Sequence, residues 1–497
     1  MTELSPIVIL GIILMYFLIL MGISYLTGRE GDNDSFFLAG RKSPWYLVAF
    51  GMIGASLSGV TFISIPGVVG AGKANMNFSY LQMVFGYLVG YAVIALVLLP
   101  LYYRLQLTSI YEYLQKRLGF NAYKTGAAYF LLSRIIGASF RLYLVALVIH
   151  KFVTAPFGIP FSVTVLIAIA LIWVYTFRGG INTIVWTDTL QTTCMLAAVV
   201  FTIFAIGSDL DKSVGELIST IGQSEYSQVF FFEGGWSDPN NFFKQFISGA
   251  LIATVMTGLD QDMMQKNLSC KTLRESQTNV FAFSIILVLA NVLFLALGAL
   301  LYIYAANYGL EIPAKTDLLY PQIALQHLSP FIGIMFILGL IAAAYSSADS
   351  ALTALTTSFC VDFLGFNEVE NKDEETVQKQ QKTRFWVHIG FSLLLLLVIV
   401  IFNSLNDAAV ISKLFEWAGY TYGPLLGLFA FGMFTPYRVH NRWVIPVCLA
   451  APILSYWLKA NQLFIQFELG FLIILVNGLL TFFGLWAISY RDEEAEA

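Results

Sequence analysis

The stretch GMIGASLSGVTFISIPGVVG (residues 51–70) decides the fold, because it is apolar enough for a membrane helix yet rich in glycine, serine and threonine. A second stretch, ISGALIATVMTGLDQDMMQ (residues 247–265), has the same character and carries Asp260 and Gln261. Unwound backbone at bilayer depth is tolerated only where its freed amides and carbonyls line a cavity or bind a ligand. We therefore expect two broken helices around a shared site. The alternative is that the small residues only permit close helix packing.

The composition of the whole chain is that of a membrane protein. Of its 497 residues, 58% are hydrophobic and 12% are charged, and the mean hydropathy is +0.74. A single soluble core cannot bury so much apolar surface. Thirteen segments are long enough to cross about 30 Å of hydrocarbon, at roughly 6–27, 45–70, 78–103, 122–152, 161–177, 184–206, 243–267, 279–305, 329–361, 386–403, 409–434, 443–458 and 467–490. The first has no basic n-region and no cleavage site, so we expect it to be retained.

The order of these segments predicts an internal repeat. Each interrupted stretch begins a run of five helices, at 45–206 and 243–434, and an odd number of crossings starts the second run from the opposite side. Residues 1–44 add an N-terminal helix and a cytoplasmic loop, and residues 443–490 add two C-terminal helices. The predicted class is an all-α polytopic membrane protein with a five-plus-five inverted-repeat core, forming a single integral domain.

The distribution of basic residues predicts the orientation in the membrane. Lysines and arginines concentrate in alternate loops, to which Lys266 is assigned, and the opposite loops hold few. By the positive-inside rule, the N-terminus lies outside and the C-terminus is cytoplasmic. The compact loops are typical of a multi-pass protein of the bacterial inner membrane.

Two apolar helices carry groups that are costly inside a membrane. LGLIAAAYSSADSALTALTTSFC (residues 338–360) contains Ser346, Ser347, Asp349 and Ser350, and TIVWTDTLQTTCMLAAVV (residues 183–200) contains Asp188. Ionisable side chains at this depth mark ion or substrate pathways, and oxygen donors suit hard cations. The pattern predicts a sodium site.

Four ordered segments carry a family resemblance: DSFFLAGRKSPWYLVAFGMIGASLSGVTF (34–62), TSIYEYLQKRLG (108–119), RGGINTIVWTDTLQ (178–191) and DQDMMQKNLSCK (260–271). Together they resemble the sodium/solute symporter family, whose members include bacterial sugar, proline and sialic acid transporters. The resemblance implies a core of the leucine-transporter type with one helix before it and two after. It also implies a common sodium site, formed by backbone carbonyls and two hydroxyls at Gly54, Leu57, Ala343, Ser346 and Ser347.

Some members of that family hold a second sodium ion. The matching positions here are Asp188, Ser346, Asp349 and Ser350, which would give two sodium ions per cycle. Asp349 departs from the family pattern, since a hydroxyl residue usually stands there. A second carboxylate would strengthen ion binding, take up a proton or make a packing hydrogen bond.

Polar side chains near the two interruptions, and at further positions that match related transporters, are the expected solute contacts. They are Ser56, Ser58, Thr61, Gln82, Arg141, Asp260, Gln261, Glu416 and Tyr420. Hydroxyls, amides and carboxylates suit a sugar or polyol. Arg134 and Arg141 lie on one helical face and either clamp a sugar acid or pair with Asp260 or Glu416. Related sialic acid transporters use an arginine on this helix, and Gly137 occupies the matching position here.

The resulting functional prediction is a sodium-coupled symporter that imports a small polar solute by alternating access. The expected partners are that solute, sodium ions and the lipid bilayer, with no nucleic acid, no obligate protein partner and no cofactor other than Na⁺. A proton-coupled or uncoupled transporter of the same fold is the alternative, and a membrane solute sensor is a remote one. The sequence contains no HExxH, GxSxG or phosphate-loop motif, which argues against an enzyme.

Overall fold

Helices make up nearly all of the part of the chain that the structure describes. A computed structural model describes residues 6–27, 41–72, 74–176, 180–366, 374–405, 410–461 and 470–491. The helices are Pro6–Thr27, Trp45–Ser56, Gly59–Val68, Tyr80–Val93, Leu99–Arg104, Glu112–Leu118, Phe120–Ile149, Phe161–Thr176, Gly180–Asp209, Val214–Gln223, Phe242–Ala253, Gln261–Leu268, Leu273–Tyr308, Leu319–Gln322, Pro330–Ser358, Glu374–Leu405, Val410–Phe434, Asn441–Ala460 and Ile473–Ala487. Two short strands, Arg438–Val439 and Ser489–Tyr490, pair antiparallel.

The lengths and compositions of these helices agree with a polytopic membrane protein. Within the described residues, eight helices are long and apolar enough to cross a membrane, and two further spans are formed by bent helix pairs. The other three predicted spans correspond to the shorter apolar helices Phe161–Val174 and Ile473–Ala487 and to Val410–Phe434. The all-α class predicted from the sequence is confirmed, whereas the division into two inverted repeats stays a prediction.

Both interrupted stretches are broken helices. In the first broken span, Trp45–Ser56 and Gly59–Val68 meet at 55°. In the second broken span, Phe242–Gly258 and Gln261–Leu268 meet at 65°.

Different local causes produce the two breaks. In the first, Ser58 leaves the helical conformation, with ψ of 174°, just before the second half-helix begins at Gly59. In the second, the Asp260 carboxylate caps the new helix by accepting hydrogen bonds from the backbone N–H groups of Asp262 and Met263, at 3.0 and 3.4 Å. Such a cap satisfies amides that a helix start leaves without partners. The second break is therefore built around a buried carboxylate.

Three long helices surround the breaks. We call them the Arg134 helix (Phe120–Ile149), the Asp188 helix (Gly180–Asp209) and the serine helix (Pro330–Ser358). The Asp188 helix packs against both the serine helix and the first half of the first broken span. Every residue from Gly339 to Ser358 is buried. The hydroxyls and the carboxylate of the serine helix thus face protein and not lipid.

Glycines bring the helix Tyr80–Val93 into backbone contact with the first half of the second broken span. A Cβ atom at Gly86 would overlap the carbonyl oxygen of Phe246, and one at Gly249 would overlap that of Met83. At Gly90 a Cβ would lie 2.6 Å from the carbonyl oxygen of Ala250. Only hydrogen fits at these positions, as in other close crossings of membrane helices.

Candidate functional site

The first broken span meets the serine helix at the residues predicted for the common sodium site. The Ser347 hydroxyl lies 3.5 Å from the carbonyl oxygen of Ala55, to which it donates. A Cβ at Gly54 would lie 3.1 Å from the Ser346 hydroxyl oxygen. The carbonyl end of a helix carries partial negative charge, because its last carbonyls have no helical partner. This end of the first half-helix therefore faces two hydroxyl oxygens.

The remaining predicted members lie on the same two elements. Leu57 is 2% exposed and Ala343 is 1% exposed, so both are inside the protein. Thr192 of the Asp188 helix was not predicted: its hydroxyl accepts from the Gly54 N–H at 3.0 Å and donates to the Phe50 carbonyl at 3.1 Å. Its position four residues after Asp188, on the same helical face, is the signal that could have found it.

A lysine lies among the residues predicted for a second sodium ion. The Lys266 ammonium donates to Asp188 Oδ2 and to the Ser350 hydroxyl, each at 2.7 Å. The Ser346 hydroxyl donates to Asp188 Oδ1 at 2.6 Å. The Asp349 carboxylate accepts from the Ser350 N–H at 2.5 Å.

The assignment of Lys266 to a cytoplasmic loop is wrong. Lys266 is 1% exposed, and Asp188 is equally buried. Positive charge near the end of an apolar stretch is typical of a loop, and only the packed structure shows that this half-helix turns inward. The four predicted residues do come together, with a cationic side chain beside them.

A second charged cluster holds the other end of the same half-helix. The Arg134 guanidinium forms an ion pair with Asp262 and lies 3.8 Å from Asp260 Oδ2. The Tyr422 hydroxyl donates to the same Asp260 oxygen at 2.5 Å. The sequence left two alternatives for the arginines: to clamp a sugar acid or to pair with a buried acid. Arg134 pairs with buried acids. Its charge is balanced inside the protein.

A cavity opens beside the two breaks. Four predicted residues line it, namely Ser56, Ser58, Thr61 and Arg141. The sequence did not indicate the tyrosines Tyr80, Tyr87 and Tyr91, nor Thr257 and Asn291, which also line it. The three tyrosines are spaced by seven and four residues on one helix, so a common face was readable from the sequence. The Tyr80 and Tyr87 hydroxyl oxygens lie 2.9 Å apart.

Arg141 differs from Arg134 in its surroundings. Both arginines line the cavity, but within the described residues Arg141 forms no ion pair. Its buried Nε–H has no hydrogen-bond partner there. A guanidinium without an ion-pair partner, at the wall of a cavity, is suited to bind an anionic group of a ligand.

Three amide and carboxylate side chains from the predicted solute contacts have other partners. The Gln82 amide donates to the Asn240 carbonyl at 2.9 Å and its oxygen accepts from the Phe231 N–H at 3.1 Å. The Gln261 oxygen accepts from the Ile110 N–H at 3.0 Å. Asp260 is fully buried in the arginine cluster. None of the three is among the residues that line the cavity.

Glu416 and Tyr420 face the C-terminal helices. Glu416 pairs with Lys459 at 2.7 Å, and both side chains are about one-third exposed, at 32% and 39%. The Tyr420 ring packs edge-on against Tyr456, at 6.1 Å between centroids. On this helix the cavity is lined by Leu414 and Phe415 instead.

Comparison with known proteins gives one consistent result. A family model described as "Sodium:solute symporter family" matches residues 36–440. The chain is 24% identical over 466 residues to the sodium/sialic acid symporter NanT of Aliivibrio fischeri, covering 92% of this chain and 89% of that protein. It is 25% identical over 428 residues to the sodium/sialic acid symporter SiaT of Proteus mirabilis, covering 84% and 82%.

A solved structure of a Na⁺-coupled sialic acid symporter, in a substrate-bound outward-open state, shares the fold. It aligns over 96% of each chain with a TM-score of 0.81 and 19% sequence identity. This likeness confirms the predicted leucine-transporter type of fold. Because the family model spans most of the 497 residues, the chain belongs to the sodium:solute symporter family and is a membrane transporter that couples a solute to sodium, not an enzyme.

Proposed function

We propose that this protein is a symporter for a small polar solute that bears a carboxylate, with sugar acids as the leading class. The observation that carries the proposal is the placement of Arg141 on the cavity wall, where it forms no ion pair with a described residue. Arg134, seven residues earlier, is balanced by Asp260 and Asp262. The anion that pairs with Arg141 is then the solute. Two relatives named for sialic acid, which is a sugar acid, support the same class.

The rest of the cavity suits a polyhydroxylated molecule. Ser56, Ser58 and Thr61 from the first break and three tyrosines from the neighbouring helix bring hydroxyl groups to one space. Hydroxyls can donate or accept, so they match the mixed hydrogen bonding of sugar hydroxyls. Phe415 and Met256 add apolar surface on which a sugar ring can pack.

Coupling to sodium is explained by a shared structural element. Residues Ala55 to Ser58 line the cavity, and the Ala55 carbonyl also accepts from Ser347 of the serine helix. We assign the common sodium ion to Gly54, Leu57, Ala343, Ser346 and Ser347. A sodium ion there would fix the break in the conformation that presents Ser56 and Ser58 to the solute. By reciprocity, solute then tightens sodium by the same factor.

We also propose a bacterial inner-membrane location with the N-terminus outside. Arg104, Lys116 and Arg117 lie in one connection after an odd number of predicted crossings, and Arg438 and Arg442 lie in another on the same side. The removal of Lys266 from the loop residues leaves this asymmetry in place. The orientation then follows from the positive-inside rule.

The test compares carboxylates with their neutral analogues. Thermal unfolding of the purified protein is followed with glucuronate or glucose, and with N-acetylneuraminate or N-acetylmannosamine, in sodium and in potassium buffer. A bound ligand raises the unfolding temperature by mass action. We expect stabilisation by at least one of the acids, in sodium only, and little by either neutral sugar.

The decisive variant is Arg141→Met. A hydrogen-bonded charge contributes about 1.5–3 kcal/mol, so its affinity for the acid should fall roughly 10- to 100-fold. Arg104→Met, at an exposed arginine, serves as the matched control and should bind as wild type. Equal stabilisation by neutral sugars, with Arg141→Met unaffected, would contradict the carboxylate assignment.

A further inference from the structure

Lys266 is a positive charge inside the membrane domain that the transport scheme does not require. It lies on the short half-helix Gln261–Leu268 and is 1% exposed. A lysine at this depth is costly unless it is paired. Its pairing, described above, is with the oxygen atoms predicted to hold the second sodium ion.

The Lys266 ammonium donates hydrogen bonds of ordinary length to two of those oxygens. Lys266 Nζ is 2.7 Å from Asp188 Oδ2 and 2.7 Å from the Ser350 hydroxyl. The other Asp188 oxygen accepts from Ser346. An ammonium has three donors and no acceptor, so it competes with a metal cation for the same lone pairs.

The common sodium site is different in this respect. Within the described residues, no lysine or arginine forms a hydrogen bond with Gly54 or Ser347. The oxygens there are carbonyls and hydroxyls without formal charge. One site is thus open to an external cation, and the other already contains one that belongs to the chain.

We infer that the Lys266 ammonium replaces the second sodium ion, and that the protein therefore binds a single sodium ion, at the common site. A sodium ion could reach Asp188 only by displacing a tethered cation or by lying beside it, and like charges at a few ångströms repel strongly in a medium of low dielectric constant. The inference rests on the proposed sodium site and changes the stoichiometry expected from the sequence.

The experiment counts sodium ions directly, without solute. Equilibrium binding of radioactive sodium is measured on the purified full-length protein in detergent. We expect one ion per wild-type protein and two per Lys266→Met protein, because the neutral side chain leaves the Asp188 carboxylate available to a metal cation. Lys266→Arg, which keeps the charge, should bind one. The double variant Lys266→Met/Asp188→Asn should return to one, since the freed carboxylate is gone.

Two results would overturn the inference: two sodium ions bound to the wild type, or a sodium count unchanged by Lys266→Met in a protein that still unfolds cooperatively. If Lys266→Met does not fold, the wild-type count decides alone, with one ion supporting the inference and two refuting it. Failure of the proposed function has another signature. A wild-type protein that binds no sodium contradicts the common site, whereas a gain of one ion in Lys266→Met would still support the role of Lys266.

Discussion

The two broken spans differ in what holds them at their breaks. At the first, the contacts are neutral: Gly54 bonds to Thr192, and Ser347 approaches Ala55. At the second, buried charges are paired on both sides, through Arg134 with Asp262 and through Lys266 with Asp188.

This difference suits the first break to binding an ion and the second break to holding its half-helix in place. Neutral oxygens hold a monovalent cation weakly enough to release it in each cycle, whereas a buried ion pair is disrupted only at a large cost. On the proposed assignment, the first break is the exchangeable part of the site, and the second is fixed by charges of the chain itself. Variants that alter one break at a time test this difference.

The largest expected effect is that of Arg134→Met, which removes the cation between Asp260 and Asp262. Uncompensated buried charge costs about 3–5 kcal/mol, so the unfolding temperature should fall markedly and uptake should be lost. Thermal unfolding of the purified protein checks this. Arg104→Met, at an exposed position, is the control. An unchanged unfolding temperature in Arg134→Met would show that the second break is not anchored by this cluster.

A large effect on sodium dependence is expected from Gly54→Ala. The added Cβ would lie 2.5 Å from the hydroxyl oxygen of Thr192, which bonds to Gly54, and 3.1 Å from that of Ser346, which is assigned to the ion. The sodium concentration for half-maximal uptake should rise by about tenfold or more, which corresponds to about 1.4 kcal/mol.

Gly137→Ala is the matched control for Gly54→Ala. Gly137, like Gly54, is a glycine in a membrane helix, but no heavy atom lies within 4 Å of a Cβ added at Gly137. Sodium activation should remain as in wild type. If Gly54→Ala also keeps wild-type sodium dependence, the first break is not the exchangeable site.

The smallest effect is expected from Glu416→Gln, which lies outside both breaks. An ion pair as exposed as Glu416 with Lys459 contributes about 0–1 kcal/mol. Solute affinity and sodium dependence, measured by uptake, should match the wild type, as should those of Lys459→Met. A tenfold loss of solute affinity in Glu416→Gln alone would show that this residue contributes to solute binding.

The fold was predictable because its signals are local. Hydropathy marks each span, and glycine, serine and threonine within an apolar stretch mark where a helix cannot continue. The same logic placed Ser346 and Asp188 inside the protein, since neither type of group is left facing lipid without cost. The proximity of Gly54 to Ser346, in contrast, was expected only from the family resemblance.

The orientation of individual side chains was less predictable. Gln82 and Gln261 have side chains capable of binding a solute, but here they hydrogen-bond to the backbone of neighbouring segments. The sequence does not distinguish a glutamine that binds solute from one that stabilises a loop. Glu416 follows Phe415 by about 100° of helical rotation, which turns it from the cavity to the C-terminal helices. Lys266 was misassigned because its burial depends on a turn inward that only tertiary packing determines.

The glycine contacts between Tyr80–Val93 and the first half of the second broken span have a mechanical consequence. Two backbones that touch at Gly86, Gly90 and Gly249 cannot slide past one another without a carbonyl overlapping a Cα. We expect the two helices to move as one rigid body in any change of conformation. The tyrosine hydroxyls at the cavity, which lie on Tyr80–Val93, would move with that body.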